Sequence, residues 1–304
     1  MPLETVTTGL QFPEGPIAMA DGSVILVEIR RKTLSRVAPD GTVTVIAELG
    51  GGPNGAAIGP DGRVYVCNNG GLGWIDLEGG IMVPHGAAAD YAGGCIQAVD
   101  LQTGTVEVIY TECDGRPLSA PNDIVFDRQG GFWFTDLGKE NDTTRDYGAL
   151  YYAKIDGSFI SRQRDRLSWP NGCGLSPDES VLYVAETWTG RLWAYDISEP
   201  GVLKAPEVSY MPGRLILTLP GYQPFDSLAV QATGDVCVAT GVNGRITIIS
   251  PGGAQQEVPI PDFITTNICF GGADMKDAWV TASSTGILYK TRWDTAGLKL
   301  AFNG

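Results

Sequence analysis

Six stretches of the chain repeat one pattern, a polar turn followed by a run of β-branched, aromatic or aliphatic residues. They are AMADGSVILVEI (18–29), IGPDGRVYVCNN (58–69), FDRQGGFWFTD (126–136), LSPDESVLYVAE (175–186), VQATGDVCVAT (230–240) and FGGADMKDAWVTA (270–282). Such a turn feeding such a run is a hairpin signal. Each stretch is followed by a second run with strand character, at 32–49, 95–112, 148–157, 190–197, 244–253 and 286–294, so every repeat supplies two hairpins. The turns centre on Gly22, Gly62, Gly130, Glu179, Gly234 and Asp277. Their irregular interval of roughly 40 to 70 residues is that of propeller blades with loops of unequal length. No long amphipathic helix interrupts the series. The predicted fold is all-β, a six-bladed β-propeller with four antiparallel strands per blade, filling residues 1–304 as one domain.

Two details refine this expectation. The segment LETVTT (3–8) is predicted to close the ring beside LKLAF (298–302). The insertion from Gly70 to about Gly94 is rich in glycine and alanine and is expected to cross the face of the ring, where loops carry substrate contacts.

A polar residue recurs at a fixed place in the repeats. Glu14 in PEGP, Asn54 in PNGA, Asn122 in PND, Asn171 in PNGC and Asp226 in FDSL each stand eight positions before their turn. Asn267 stands in a looser register, ten positions before Asp277. Equivalent positions in a closed ring converge on its axis, so these side chains are candidates for one shared site. Asp226 sits in an apolar setting and needs a partner, because a buried unpaired charge is costly. Two carboxylates with two or three amide oxygens form the ligand set of a hard divalent cation. Calcium fits best, and zinc, magnesium or manganese could exchange into such a site. Asp136 and Glu140 lie just past the third repeat's inner run and could face the cavity, while Trp133, Trp188 and Trp193 are read as packing between blades.

Composition narrows the function. A net charge of -14 and the absence of a basic stripe argue against nucleic acid. No run approaches the apolar length of a membrane span, and MPLETVTTGLQF lacks the basic and apolar regions of a leader, so a cytoplasmic location is expected. The six cysteines show no CxxC spacing, and Cys67, Cys173, Cys237 and Cys269 read as small buried hydrophobes. His85 is the single histidine and no GxSxG elbow is present, so a serine-histidine mechanism finds no support. His85 is placed in the loop, near a substrate.

Taken together, PEGP, PND followed by FTD, PNG followed by LSPD, FDSLAV and TNICFGGADMKDAW resemble the senescence-marker-protein/gluconolactonase superfamily. Its members are six-bladed propellers that include regucalcin-like gluconolactonases, other sugar lactonases and calcium-dependent organophosphate hydrolases. The motifs run in order from about residue 12 to 290. The resemblance implies a divalent-metal site at Glu14, Asn171 and Asp226, with Asn122 as fourth ligand or substrate contact, and Asp226 as the acid/base residue. It places Glu140 at a substrate-binding acid. One position departs: regucalcin-like members carry arginine two residues before the asparagine, where Ala120 stands here.

The expected activity is divalent-metal-dependent hydrolysis of a small lactone, with Asn122, Asn54, Glu140 and His85 as substrate contacts. Whether Asp226 acts as base, nucleophile or only as ligand stays open. Phosphotriester hydrolysis on the same site and a non-catalytic calcium-binding propeller are the alternatives, and the oligomeric state is not indicated.

Overall fold

The computed structural model of the protein describes residues 2–141 and 143–302. The described residues form a ring of six antiparallel sheets, the six-bladed propeller, with no helix among them. Each blade starts with an inner strand: Pro13–Ala18, Pro53–Ile58, Pro121–Phe126, Pro170–Leu175, Phe225–Val230 and Thr265–Gly271. These strands are buried almost throughout, PEGPIA and PNDIVF at every position. The second strands, such as Val24–Glu28 and Gly131–Asp136, are buried at every position as well, and burial on both faces explains why the runs after the turns are continuously apolar or aromatic rather than alternating. The outer strands, such as Val43–Glu48 and Gln255–Pro259, are largely exposed.

The first blade runs Pro13–Ala18, Val24–Glu28, Thr33–Val37 and Val43–Glu48 in simple meander order, and blades two, three and five follow the same order. The fourth carries an additional short strand, Val202–Leu203, before its outer strand Arg214–Thr218. The hairpin turns are set by backbone conformation. Gly22, Gly62, Gly130, Glu179 and Gly234 all have positive φ, between 58° and 91°. In the last blade Met275, at φ 57°, takes this role, two residues before the expected Asp277. A left-handed position favours glycine, which fills it in four of the six repeats, and Glu179 holds it in the fourth blade as expected.

The ring closes by pairing Glu4–Thr7 with Ile287–Arg292, Glu4 opposite Lys290 and Thr5 opposite Tyr289. The expected partner at 298–302 does something else. Leu298 N–H donates to the Val230 carbonyl at 2.8 Å, and Phe302 meets Phe126 edge-on at 5.9 Å. The tail thus passes beneath the ring, and Leu298 and Leu300 line the narrow channel between the inner strands. Aromatic clusters fill the spaces between blades, Tyr65, Phe126, Phe132, Phe134 and Tyr151 in one and Trp133, Tyr152, Trp193 and Tyr195 in the next. All six cysteines are unpaired thiols; Cys67, Cys173 and Cys237 are buried as expected, whereas Cys269 is only partly buried and Cys113, not expected there, is buried. No helix of the described residues is long and apolar enough to cross a membrane.

Candidate metal and substrate site

Each inner strand enters the ring through a bulge. Pairing with the second strand breaks between Glu14 and Ile17, Pro53 and Ala56, Pro121 and Ile124, Pro170 and Cys173, and Phe225 and Leu228. A bulge at a sheet end re-aims side chains out of the ladder. Here it turns Glu14, Asn54, Asn122, Asn171 and Asp226 into one cavity of about 420 Å³. In the last blade the bulge lies between Thr265 and Asn267, so Thr266 lines this cavity and Asn267 lines the narrow channel. Asn267 instead supports the site, its amide donating to Glu14 Oε2 at 2.7 Å.

Close approach of the inner strands depends on the residue after each polar one. A Cβ on Gly15 would lie 2.6 Å from the Asn54 carbonyl oxygen, and one on Gly172 would lie 2.6 Å from the Leu228 nitrogen. The third blade has Asp123 at this place. Its carboxylate accepts the Ile124 and Cys173 N–H groups, each at 2.9 Å, and ties blade three to blade four.

A second repeated device holds the bulges from behind. Glu28 accepts the Gln11 N–H (2.8 Å), Asn68 the Gly52 N–H (2.8 Å), and Glu186 the Ser168 N–H (3.1 Å). Asp136 accepts those of Ser119 (2.8 Å) and Ala120 (2.7 Å). Asp136 is therefore committed to the backbone and does not line the cavity, whereas Glu140 does.

The insertion forms a hairpin, Leu72–Leu77 with Ile81–Ala87, that reaches from blade two across blade one to blade six. Met82 N–H donates to the Ser284 carbonyl (2.9 Å), Trp74 packs on Phe12 with centroids 5.0 Å apart, and Arg30 pairs with Asp76. Lys139 fastens its base, donating to the carbonyls of Asn69 and Gly71 at 2.9 and 2.7 Å. His85 and Pro84 of the hairpin line the cavity. Trp188, read from sequence as packing, also lines it and is 40% exposed; Trp133 and Trp193 are core residues as expected.

Electrostatically the buried end of the cavity is unbalanced. Burial pushes Glu14 well above the usual carboxylate range and the nearby Asp226 charge adds to this, opposed by the hydrogen bonds from Asn267 and Gly15. Asp226 is raised by burial and by the Asp123 charge, against the pull of Asn171 and the Ser227 N–H. Buried acids that share one region resist ionising together. The donor set fits a hard cation on direct grounds. Glu14 Oε1 and Asn122 Oδ1 are buried with no hydrogen-bond partner, which is costly unless something else binds them. No group of three or more His, Cys, Asp or Glu among the described residues could hold a metal, so such a site rests on amide as well as carboxylate oxygens.

Comparison with known proteins places this architecture. A family described as "SMP-30/Gluconolactonase/LRE-like region" matches residues 12–284. Lactonase drp35 of Staphylococcus saprophyticus is 30% identical over 254 residues, 83% of this chain and 70% of the relative. The gluconolactonase of Zymomonas mobilis is 25% identical over 224 residues, covering 66% of this chain and 56% of that protein, little more than half its length. The crystal structure of the calcium-binding protein regucalcin from Agrobacterium tumefaciens superposes with a TM-score of 0.74 at 17% identity, covering 98% and 95% of the two chains, a likeness of fold. With the match spanning the ring from the first inner strand to the last blade, the chain belongs to the SMP-30/gluconolactonase/LRE-like family.

Proposed function

We propose that this protein is a lactonase that requires a divalent cation, calcium fitting its oxygen donors best, and opens a small lactone by attack of water. The single observation that carries this reading is the pair of orphaned buried oxygens, Glu14 Oε1 and Asn122 Oδ1, in one cavity with Asn171 and Asp226. The names of the relatives, lactonase drp35 and gluconolactonase, support the same chemistry.

Glu14, Asn122, Asn171 and Asp226 would hold the cation. When bound, it would polarise an ester carbonyl and stabilise the oxyanion that forms there. The chain's own groups do the rest. Asp226, whose carboxylate lines the cavity, takes the proton of the attacking water. The water oxygen bonds to the carbonyl carbon and the bond from that carbon to the ring oxygen breaks. Asp226 returns the proton to the leaving oxygen, so that one hydroxy acid results. Asn54 and Asn122 orient the ring by their side-chain amides, and Glu140 and His85 contact it from the cavity wall. The hairpin over the ring excludes bulk water. The unpaired cysteines suit a reducing, cytoplasmic setting.

Hydrolysis of five- and six-membered lactones, followed by acid release with and without chelator, tests this. Activity that chelator abolishes and calcium restores, and that Glu14→Gln and Asp226→Asn both lose, is the expected result. Full activity in either variant or in chelator would refute the reading, and turnover of an organophosphate alone would reassign the substrate.

A further inference from the structure

The residues two positions before the cavity's polar ring form a second ring, and its chemistry is different. They are Phe12, Gly52, Ala120, Trp169, Pro224 and Ile264, of which all but Gly52 line the cavity. None offers a hydrogen-bonding side chain except Trp169, whose indole N–H is buried without a partner. At this collar a hydroxyl of a polyhydroxylated ring would find only the Trp169 N–H to bond, the other polar groups of the cavity lying outside the collar, and each hydroxyl buried unpaired here opposes binding.

Beyond this collar, the wall is aromatic. The Trp169 and Trp188 rings lie 5.0 Å apart, and Tyr222 stacks on Trp188 at 5.7 Å with 27° between planes. Trp188 and Tyr222 are 40% and 56% exposed, and both line the cavity. The Arg145 guanidinium sits 4.2 Å from the Trp169 ring centre and 5.9 Å from that of Trp188, holding the two together. Trp169 also holds a left-handed backbone, φ 56°, immediately before Pro170. That conformation is unfavourable for a bulky residue and more so before proline, and strain of this kind persists where the surroundings enforce it, often at ligand clamps. Three large aromatic faces kept in open contact with the cavity suit an apolar occupant.

Resting on the lactonase reading above, we propose that the substrate is a lactone carrying an apolar alkyl or aryl substituent, which seats against Trp169, Trp188 and Tyr222, rather than a polyhydroxylated sugar lactone.

The test uses the full chain with calcium and γ-lactones that differ only in a methyl, butyl or octyl side chain, beside glucono-δ-lactone. We expect kcat/KM to rise at least about tenfold from methyl to octyl and to exceed that for the sugar lactone, since each buried methylene adds favourable transfer energy. Trp188→Ala and Tyr222→Ala, both at exposed positions, should collapse the octyl-to-methyl ratio through a raised KM for the octyl compound. A higher kcat/KM for glucono-δ-lactone, or an unchanged ratio in both variants, would overturn the proposal. Calorimetric binding of γ-lactams with the same side chains separates this from the hydrolytic reading, because lactams need not be opened. Octyl lactam bound at least about tenfold tighter than methyl lactam by the parent protein but not by Trp188→Ala upholds the subsite even if no lactone is hydrolysed. Equal affinity for the two lactams overturns it.

Discussion

The Asn267 side-chain amide donates to Glu14 Oε2 over 2.7 Å and so joins the last blade to the first at the buried end of the cavity. Together with the Gly15 N–H at 2.6 Å it fixes one oxygen of Glu14 and leaves Oε1 free. A carboxylate oriented this way is preorganised, whereas one without its amide partner must be ordered when the cation binds. Asn267→Ala should therefore weaken calcium about 10- to 100-fold, the usual cost of losing a group that orients a ligand. Isothermal titration calorimetry of the purified variant checks this, and unaltered affinity would show that Glu14 needs no such support.

Glu14 also sets a conflict between function and stability. Its charge is buried beside that of Asp226, and burial and repulsion both push its pKa up. A group with a raised acid pKa costs the folded state stability at pH above that pKa, and the cost fades as pH falls through it. Glu14→Gln removes the charge and keeps the shape. In chelator at pH 8 the variant should be more stable than the parent by about 1–3 kcal/mol, the range in which relieving a buried unpaired charge acts. With saturating calcium the order should reverse, because only the parent binds the ion and binding to the native state stabilises it. Urea denaturation under the two conditions measures both.

Much of this site was legible in the sequence because the polar residue stands eight positions ahead of a left-handed turn and, in every case but Asp226, directly after proline, two features with strong local signatures. Glu14, Asn54, Asn122, Asn171 and Asp226 all reach one cavity. The sixth repeat misled because its turn is Met275, which carries no turn signature, and because its bulge comes earlier, putting Thr266 in the place assigned to Asn267. Asp136 was ambiguous because the chemistry that claims it, two backbone N–H groups in the preceding loop, leaves no trace in residue type. One signal was present and unused: Glu28, Asn68, Asp136 and Glu186 all end the second strand of their blades. Trp188 and the closure partner at 287–292 depend on which blades meet, which a single-chain pattern does not encode.

Gly172 links fold and site through steric space alone. A Cβ there would come within 2.6 Å of the Leu228 nitrogen and 2.7 Å of the Ser227 Cα, both backbone atoms of the neighbouring inner strand. Neither can move without carrying Asp226 and Asn171 apart. Gly172→Ala should lower stability by about 1–3 kcal/mol, as overpacking does, and weaken calcium as well. Thermal melts in chelator read the first effect and calorimetry the second. A variant with parent stability and affinity would mean that the two strands can separate freely.

Lys139 gives the protein a dependence on alkaline pH. The residue is 3% exposed, and its ammonium donates to the carbonyls of Asn69 and Gly71 and is lowered by burial to about 8 from an ordinary 10.5, with the Asp136 charge opposing. Below about pH 8 the amine is charged in both states and the fold carries the full desolvation cost. Between about 8 and 10.5 the unfolded chain still holds a proton that the folded one has released, so stability rises with pH across this window. Lys139→Met has no such proton. The stability of the parent minus that of the variant should increase by up to about 3 kcal/mol from pH 7.5 to 10.5, a shift of this size corresponding to about 1.4 kcal/mol per pKa unit. Taking the difference cancels tyrosines and thiols that titrate in the same range. Urea unfolding of both proteins at matched ionic strength gives the curve, and a flat difference would show that water reaches the amine beneath the hairpin.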